Sequence, residues 1–92
     1  MTLENTIEAY LVKRVKELGG FSLKTDRVEG RRFVDRTCFL PGGRTLIVEC
    51  KRPKGGRRQA LQVHHIDLLV EMGHEAHFCK TKEEIDAALS HT

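Results

Sequence analysis

The chain has 92 residues, of which 39% are hydrophobic and 32% are charged. This balance is typical of one folded domain and excludes a disordered chain. A domain of this size covers only roughly 60 to 65% of the surface that its unfolded chain exposes, so a partner subunit would add to its stability. No signal peptide and no apolar run of membrane-spanning length occurs, which predicts a soluble protein of the cytoplasm.

The net charge is +3, and the basic residues are clustered rather than spread evenly. One group comprises Arg31, Arg32 and Arg36, and the other comprises Lys51, Arg52, Lys54, Arg57 and Arg58. Two such groups suggest a polyanion such as nucleic acid. A pair of solvated loops would have the same composition, and it is the acidic residues between the groups that favour the first interpretation.

The three cysteines, Cys38, Cys50 and Cys79, are odd in number and far apart. We expect them to be small buried hydrophobic side chains in a reducing compartment. There is no Cys-x-x-Cys pair, and the group His74, His77 and Cys79 lacks the usual spacing of zinc ligands. The sequence therefore gives little support to a structural zinc site.

In chain order, the pattern of apolar residues and turn signals predicts a helix, three strands, a helix, a strand and a last helix. The predicted bounds are residues 3–18 for the first helix, 21–25, 33–40 and 45–51 for the strands, 58–72 for the second helix and 75–79 for the last strand. Residues 26–32 read as a polar loop. Thr81 and Glu84 have the spacing of a capping box that opens the last helix.

The first predicted helix carries an acid on its apolar side. Glu4 precedes Leu11 and Leu18 by seven and fourteen residues, which places it along the inward stripe, whereas Glu8 is expected further towards solvent. A favourable charge in the first helical turn explains an acid at Glu4 equally well.

A turn of Pro41, Gly42 and Gly43 joins the second and third predicted strands. Asp35 and Glu49 are each seven residues from Gly42. An antiparallel hairpin about this turn would therefore bring both carboxylates to the same end of the sheet.

Side chains alternate along a strand, so Glu49 and Lys51 share a face with Ile47, while Leu46, Val48 and Cys50 point the other way. If the face of Asp35 agrees, two carboxylates and a lysine amine converge into a divalent metal site with a cation beside it. Magnesium suits one or two carboxylates together with waters and a substrate phosphate.

Gln62 lies on the apolar side of the second predicted helix, because Ile66, Leu69 and Gly73 follow it at spacings of three or four residues. A core-facing glutamine needs hydrogen-bond partners, and the nearest candidates are the acids and the lysine at the end of the preceding strand. A boundary glutamine that is satisfied elsewhere would show the same pattern.

Asp35 followed by Glu49-x-Lys51, within this order of helices and strands, resembles the core of the PD-(D/E)xK nuclease superfamily. The run that begins at Glu49 and reads Glu-Cys-Lys-Arg-Pro-Lys-Gly-Gly, followed by Gln62 and its apolar stripe, is similar to the VRR-NUC family of virus-type replication-repair nucleases. The likeness extends from the first helix to the last and covers nearly the whole chain, so residues 1–92 are expected to form a single domain. It departs from the family at Val34, where a proline usually precedes the aspartate.

The resemblance implies an α/β fold with a restriction-endonuclease-like core, in the order α-β-β-β-α-β-α around a small mixed sheet. It also implies a deoxyribonuclease that depends on Mg²⁺, with Mn²⁺ able to substitute. Carried over by position, Asp35 and Glu49 would hold the metal, Lys51 would be the catalytic lysine, Gln62 the helix-borne glutamine and Glu4 the acid of the first helix, with Glu8 as the alternative to Glu4.

DNA would be the substrate, and the basic groups would contact phosphates on either side of the cut. The expected phosphate contacts are Lys24, Arg31, Arg32, Lys54, Arg57 and Arg58. Aromatic residues are only 5% and tryptophan is absent, so recognition of duplex shape is expected rather than stacking on bases.

Stand-alone members of the family resemble homodimeric resolvases of four-way (Holliday) junctions, which favours branched DNA as the substrate and a two-fold dimer as the functional unit. The alternatives are a restriction-like or flap- and end-processing nuclease, and a DNA-binding module without catalysis. The acids and the lysine are all present, which argues against the last of these.

Overall fold

A four-stranded mixed sheet with helices on both faces forms the fold. The structure is a computed structural model that describes residues 3–24, 27–28, 31–32, 36–50 and 56–90, with side chains described in 6–24, 36–50 and 63–90. Its elements are α1 (Leu3–Glu17), β1 (Phe21–Lys24), β2 (Arg27–Val28), β3 (Arg31–Arg32), β4 (Arg36–Leu40), β5 (Arg44–Cys50), α2 (Gly56–Glu71), β6 (Ala76–Cys79) and α3 (Lys82–Leu89).

The strands of the sheet are ordered β1-β4-β5-β6. β4 is antiparallel to both β1 and β5, whereas β5 and β6 are parallel and α2 forms the connection between them. The predicted order α-β-β-β-α-β-α around a small mixed sheet is therefore confirmed.

The segment predicted as a polar loop over residues 26–32 contains a two-stranded ribbon instead. In this ribbon Arg27 of β2 pairs with Arg32 of β3, and Val28 pairs with Arg31. Each strand has two residues, which is too short for an alternation of apolar and polar side chains to appear in the sequence.

Two hydrophobic clusters occupy the two faces of the sheet. The larger cluster joins α1 and α3 to the face of the sheet that carries Leu46, Val48 and Cys50, all of which are buried. The smaller cluster joins α2, through Ile66 and Leu69, to the opposite face. This division confirms the predicted alternation along β5 and the predicted apolar stripe of the second helix.

The turn between β4 and β5 is made by Pro41, Gly42 and Gly43. The φ angles of Gly42 and Gly43 are +84° and +79°, values that side chains other than glycine rarely adopt. The pair Leu40 and Arg44 closes the hairpin. The predicted turn therefore has its glycines where the backbone requires them.

The end of α1 lies one residue earlier than predicted. The amide of Gly19 donates to the carbonyl of Lys16 and that of Gly20 to the carbonyl of Val15, so the chain turns after Glu17. Leu18 falls in this turn and is 41% exposed, which contradicts its predicted place on the inward stripe.

All three cysteines are buried, as predicted. Burial raises the pKa of the Cys38 thiol and that of the Cys79 thiol to about 11 in each case. Both thiols are therefore protonated at neutral pH and behave as small apolar groups.

Arg44 connects three elements at the end of the sheet that holds the β4–β5 turn. Its guanidinium donates to the carboxylate of Glu75 through Nε (3.2 Å) and Nη2, and to the carbonyls of Leu89 (2.8 Å) and Ala88 (2.6 Å) at the end of α3. Hydrogen bonding to Arg44 lowers the pKa of Glu75, and a contact with His77 adds to this effect. Arg44 thereby joins β5, the start of β6 and the last turn of α3.

The predicted capping of the last helix is also confirmed. The amide of Glu84 donates to Oγ1 of Thr81 (3.1 Å), while the Glu84 carboxylate accepts from the amide of Lys80 (2.5 Å). Within the described residues, no helix is long and apolar enough to cross a membrane.

Candidate functional site

The carboxyl end of β5 lies where strands of both directions meet. Lys24 of β1, Arg36 of β4, Val48 of β5 and His77 of β6 are register partners in one row across the sheet. β1 ends and β4 begins at this row, and β5 and β6 end just beyond it. We call this end of the sheet the site end.

Glu49 lies at the site end, one residue after the row, and its register partner on β6 is Phe78. Its side chain is 0% exposed. Among the side chains that the structure describes, Glu49 is the one charged residue that is buried. Ile47 and Phe78 lie on the same face of the sheet and pack with the α2 cluster. Taking a carboxylate out of water is costly, so a buried acid in an interior strand is a candidate for a functional group.

The register of the hairpin follows the prediction as far as the structure describes it. Every pair from Leu40 and Arg44 to Arg36 and Val48 is equidistant from Gly42. Arg36 and Val48 are the chain neighbours of Asp35 and Glu49. Asp35 itself lies outside the described residues, so its convergence with Glu49 stays a prediction.

Glu8, Lys24 and Arg36 form a charged cluster at the site end, on the face of the sheet that packs against α1. Oε2 of Glu8 accepts from Nε of Arg36 at 3.0 Å and lies 3.6 Å from Nζ of Lys24. Nη1 of Arg36 also donates to Oγ of Ser22 at 3.3 Å. The cluster therefore joins α1 to β1 and β4.

The Glu8 side chain is 12% exposed, which contradicts its expected place towards solvent. The reason is its pair of cationic partners, Lys24 and Arg36, which come from strands distant in sequence. The pairing of β1 with β4 places Lys24 and Arg36 on one face of the sheet. Neither this pairing nor the contact of the two cations with α1 was predicted from the sequence.

The cluster borders a cleft of about 290 Å³ that Glu8, Lys24 and Arg36 line together with two apolar residues of α1. The Lys24 side chain is 54% exposed, so its ammonium group can still donate to a ligand. A phosphate contact at Lys24, which the sequence predicts, is compatible with this exposure and stays a prediction.

Comparison with known proteins identifies relatives of the chain. No family model matches the sequence. "Putative nuclease p44" of Acyrthosiphon pisum secondary endosymbiont phage 1 is 35% identical over 72 residues, which are 78% of this chain and 76% of that protein. A solved structure described as "VRR_NUC domain" has the same fold, with a TM-score of 0.82, 24% identity and coverage of 99% of this chain and 98% of that one. The chain belongs to the same family as this phage protein, and its fold is that of the VRR_NUC domain.

Several residues that the VRR-NUC resemblance singles out lie outside what the structure describes. Lys51 and Lys54 fall between β5 and α2, and Asp35 directly precedes β4. Their roles stay predictions. Glu49 is the predicted metal ligand whose side chain the structure describes, and it is buried at the end of an interior strand.

Two predicted site residues lie on helices. At these two positions the structure describes the backbone but not the side chain. Glu4 is in the first turn of α1, one helical turn before Glu8. Gln62 is in α2, one turn before Ile66, which faces the sheet at 5% exposure. Since residues four apart lie on one face of a helix, both acids of α1 belong to the same side of that helix.

Besides Lys24, four of the predicted phosphate contacts have a described backbone position. Arg31 and Arg32 form β3, and Arg57 and Arg58 lie in the first turn of α2. That first turn contains no acidic residue, so its positive partial charge is not offset by a side chain of its own. The placement favours attraction of an anion to this part of the VRR-NUC fold, and the phosphate contacts themselves stay predictions.

The chemistry of the donors fits a hard divalent cation. A carboxylate such as that of Glu49 provides the oxygen ligands that Mg²⁺ and Mn²⁺ prefer. Within the described part of the chain, no group of three or more His, Cys, Asp and Glu side chains could hold a metal ion. The predicted pair of Asp35 and Glu49 has only one member in that part, and Mg²⁺ takes most of its remaining ligands from water and substrate.

Proposed function

We propose that this VRR-NUC domain is a metal-dependent, structure-selective DNA endonuclease that hydrolyses phosphodiester bonds and acts as a homodimeric resolvase of four-way junctions. The observation that carries the proposal is the carboxylate of Glu49, which is 0% exposed at the carboxyl end of an interior strand of a nuclease fold. Burying a carboxylate is costly, so an acid at this position favours a functional role.

Asp35 and Glu49 hold the metal in this proposal. When bound, Mg²⁺ or Mn²⁺ supplies Lewis-acid chemistry, which neutralises charge on the scissile phosphate and makes water a nucleophile near neutral pH. The register of β4 and β5 supports the pairing, since it continues without a bulge to the chain neighbours of both acids.

Lys51 follows Glu49 by two residues, so strand alternation favours the same face for both. Its ammonium group would stabilise the negative charge that develops on the phosphate, or hold the attacking water in place. Gln62 would orient Lys51 or that water by hydrogen bonding. Glu4 would accept a hydrogen bond from a water molecule at the site and so orient it.

DNA is held mainly through its phosphates. The basic residues Lys24, Arg31, Arg32, Lys54, Arg57 and Arg58 would bind the backbone on both sides of the cut and would fix its register without reading bases. Because such contacts are independent of sequence, the enzyme would select DNA by shape.

A two-fold dimer would place two active sites on two strands of a four-way junction, in keeping with the symmetry of that substrate. The edge strand β1 exposes Phe21 and Leu23, each 56% exposed, on the face that α2 leaves uncovered at this side of the sheet. Exposed apolar side chains of this kind favour association with a second subunit.

A panel of substrates with the same sequence tests the assignment: a linear duplex, a flap, a splayed arm and a four-way junction, each with Mg²⁺ and with EDTA. Symmetrical nicking of the junction by a dimeric protein is the expected result. Preference for ends or flaps would replace the resolvase with an end-processing nuclease. Binding without any cleavage, matched by the variants Lys51→Ala and Asp35→Asn, would leave a DNA-binding module.

A further inference from the structure

We propose that Glu8 is a positioning residue that acts through Arg36 to hold the metal-binding acids in place, and that it is not itself the acid that faces the metal. This inference rests on the proposed nuclease function. Its basis is the charged cluster on the α1 side of the site end, where Glu8 accepts from Nε of Arg36 at 3.0 Å.

The cluster is a largely buried ion-pair network rather than a surface ion pair, and we call the bond between Glu8 and Arg36 the anchor. The side chains of Glu8 and Arg36 are only 12% and 20% exposed, so water competes little for their bond. Arg36 has a second partner in Ser22 of β1, and Lys24 of β1 lies 3.6 Å from the same carboxylate oxygen. One acid of α1 thereby fixes the adjacent ends of two strands.

Arg36 is the residue through which this anchor reaches the site. It is the first residue of β4, it directly follows Asp35 in the chain, and it pairs with Val48, which directly precedes Glu49. Consecutive Cα atoms are about 3.8 Å apart across a trans peptide bond, so a fixed Arg36 narrows the positions open to Asp35. The anchored residue is thus next to one proposed metal ligand and opposite the neighbour of the other.

The anchor also keeps the guanidinium of Arg36 apart from the acids of the proposed metal site. Arg36 lies in a row with Val48, whose side chain packs towards α1 and α3, whereas Glu49 lies on the α2 face. With Glu8 as its partner, the guanidinium remains on the α1 face. Without Glu8, a partly buried cation next in the chain to Asp35 would seek another carboxylate, and it would compete with the metal.

This role resolves the choice between the two acids of α1. Glu8 is engaged by two cations on the α1 face. The role of helix-one acid at the metal would then belong to Glu4, as the family resemblance implies.

The test is a double-mutant cycle of Glu8→Ala and Arg36→Met, with Asp86→Asn as the control. Asp86 accepts hydrogen bonds from Tyr10 and Arg14 and so ties α1 to α3 by a more exposed ion pair away from the site end. Two quantities are measured for each variant: the single-turnover cleavage rate at saturating junction DNA, and Mn²⁺ affinity of the protein alone by electron paramagnetic resonance.

Each single variant is expected to lower the rate by about tenfold or more, since a misplacement of about 1 Å in a site can cost ~100-fold. The double variant should be no slower than Arg36→Met alone, because Glu8 acts through Arg36. Mn²⁺ affinity should fall in parallel, and the control should retain both wild-type values. Multiplied losses in the double variant, or a wild-type rate in Glu8→Ala, would overturn the inference.

If Glu8→Ala does not fold, the milder Glu8→Gln is measured in the same way, and a wild-type rate and Mn²⁺ affinity for it would refute the anchor. Failure of the proposed function gives a different result: the wild type itself would cut no DNA. In that case the Mn²⁺ titration decides, and equal Mn²⁺ binding by wild type and Glu8→Ala would reject the positioning role.

Discussion

Arg44 provides a direct test of what holds this fold together, because one side chain joins β5, β6 and α3. The change is Arg44→Met, which keeps the aliphatic stem and removes the guanidinium. Four hydrogen bonds are lost, two to the Glu75 carboxylate and two to the carbonyls of Ala88 and Leu89. The side chains of Arg44 and Glu75 are 19% and 30% exposed, so the pair is shielded from solvent but not fully buried.

Hydrogen bonds to charged groups contribute ~1.5–3 kcal/mol each when they are isolated from solvent, and breaking a buried pair costs ~3–5 kcal/mol. Partial exposure and the shared donor group place the loss for Arg44→Met at roughly 2–3 kcal/mol. For a domain of this size, 1 kcal/mol corresponds to about 4–8 °C in Tm. A decrease of roughly 10–20 °C is therefore expected.

The pH dependence of the stability difference between wild type and Arg44→Met tests the same prediction a second time. Arg44 lowers the pKa of Glu75 in the folded state, so the pair stabilises the fold above the unfolded carboxyl pKa of about 4.3 and loses this effect as the pH falls through the folded value. The difference between wild type and Arg44→Met should be largest near neutral pH and should shrink below about pH 4.

Thermal unfolding and urea unfolding, both followed by far-ultraviolet circular dichroism, are the suitable assays, since the chain has no tryptophan. Arg14→Met is the matched control: Arg14 also bonds two acids, Glu17 and Asp86, but on a more exposed surface, so a small effect is expected. An Arg44→Met protein no less stable than Arg14→Met, or a difference that does not shrink in acid, would refute the reasoning.

Three further predictions concern separate parts of the chain. Replacing Arg57 and Arg58 by Gln should weaken DNA binding and lower its salt slope by up to about 2, and an unchanged slope in a salt titration would remove this turn of α2 from the interface. Gly20→Ala should strongly destabilise the fold in thermal unfolding, because its Cβ would lie 2.1 Å from a carbonyl oxygen of β4; a wild-type Tm would contradict that packing. Cys38 and Cys79, whose burial raises each pKa to about 11, should react with a disulfide reagent at pH 8 only as the protein unfolds, and rapid labelling of the native protein would be inconsistent with their burial.

The hairpin was predictable because its signals are local. Pro41, Gly42 and Gly43 mark the turn, and the apolar and charged residues on either side alternate with the period of a strand. Counting outward from Gly42 then gives the register, which the structure confirms as far as Arg36 and Val48. The burial of the cysteines and the cap of the last helix follow from similarly local patterns.

The surroundings of Glu8 were not predictable, because they depend on contacts between distant segments. Its partners Lys24 and Arg36 come from β1 and β4, and no periodicity within α1 reports which charges of the sheet will face it. The apolar stripe therefore placed Glu8 towards solvent, whereas two cations hold it at 12% exposure. Leu18 was misplaced for a related reason, since the helix ends at Glu17 and turns it outward.

The most direct test of the central claim is DNA cleavage by the wild type in Mg²⁺, compared with Glu49→Gln and Lys51→Ala. The account predicts cleavage by the wild type that EDTA abolishes, and loss of about 1,000-fold or more in both variants while DNA affinity stays near the wild-type value, because the basic residues supply most of that affinity. Wild-type rates in Glu49→Gln, whose carboxylate is 0% exposed at the end of β5, would contradict it.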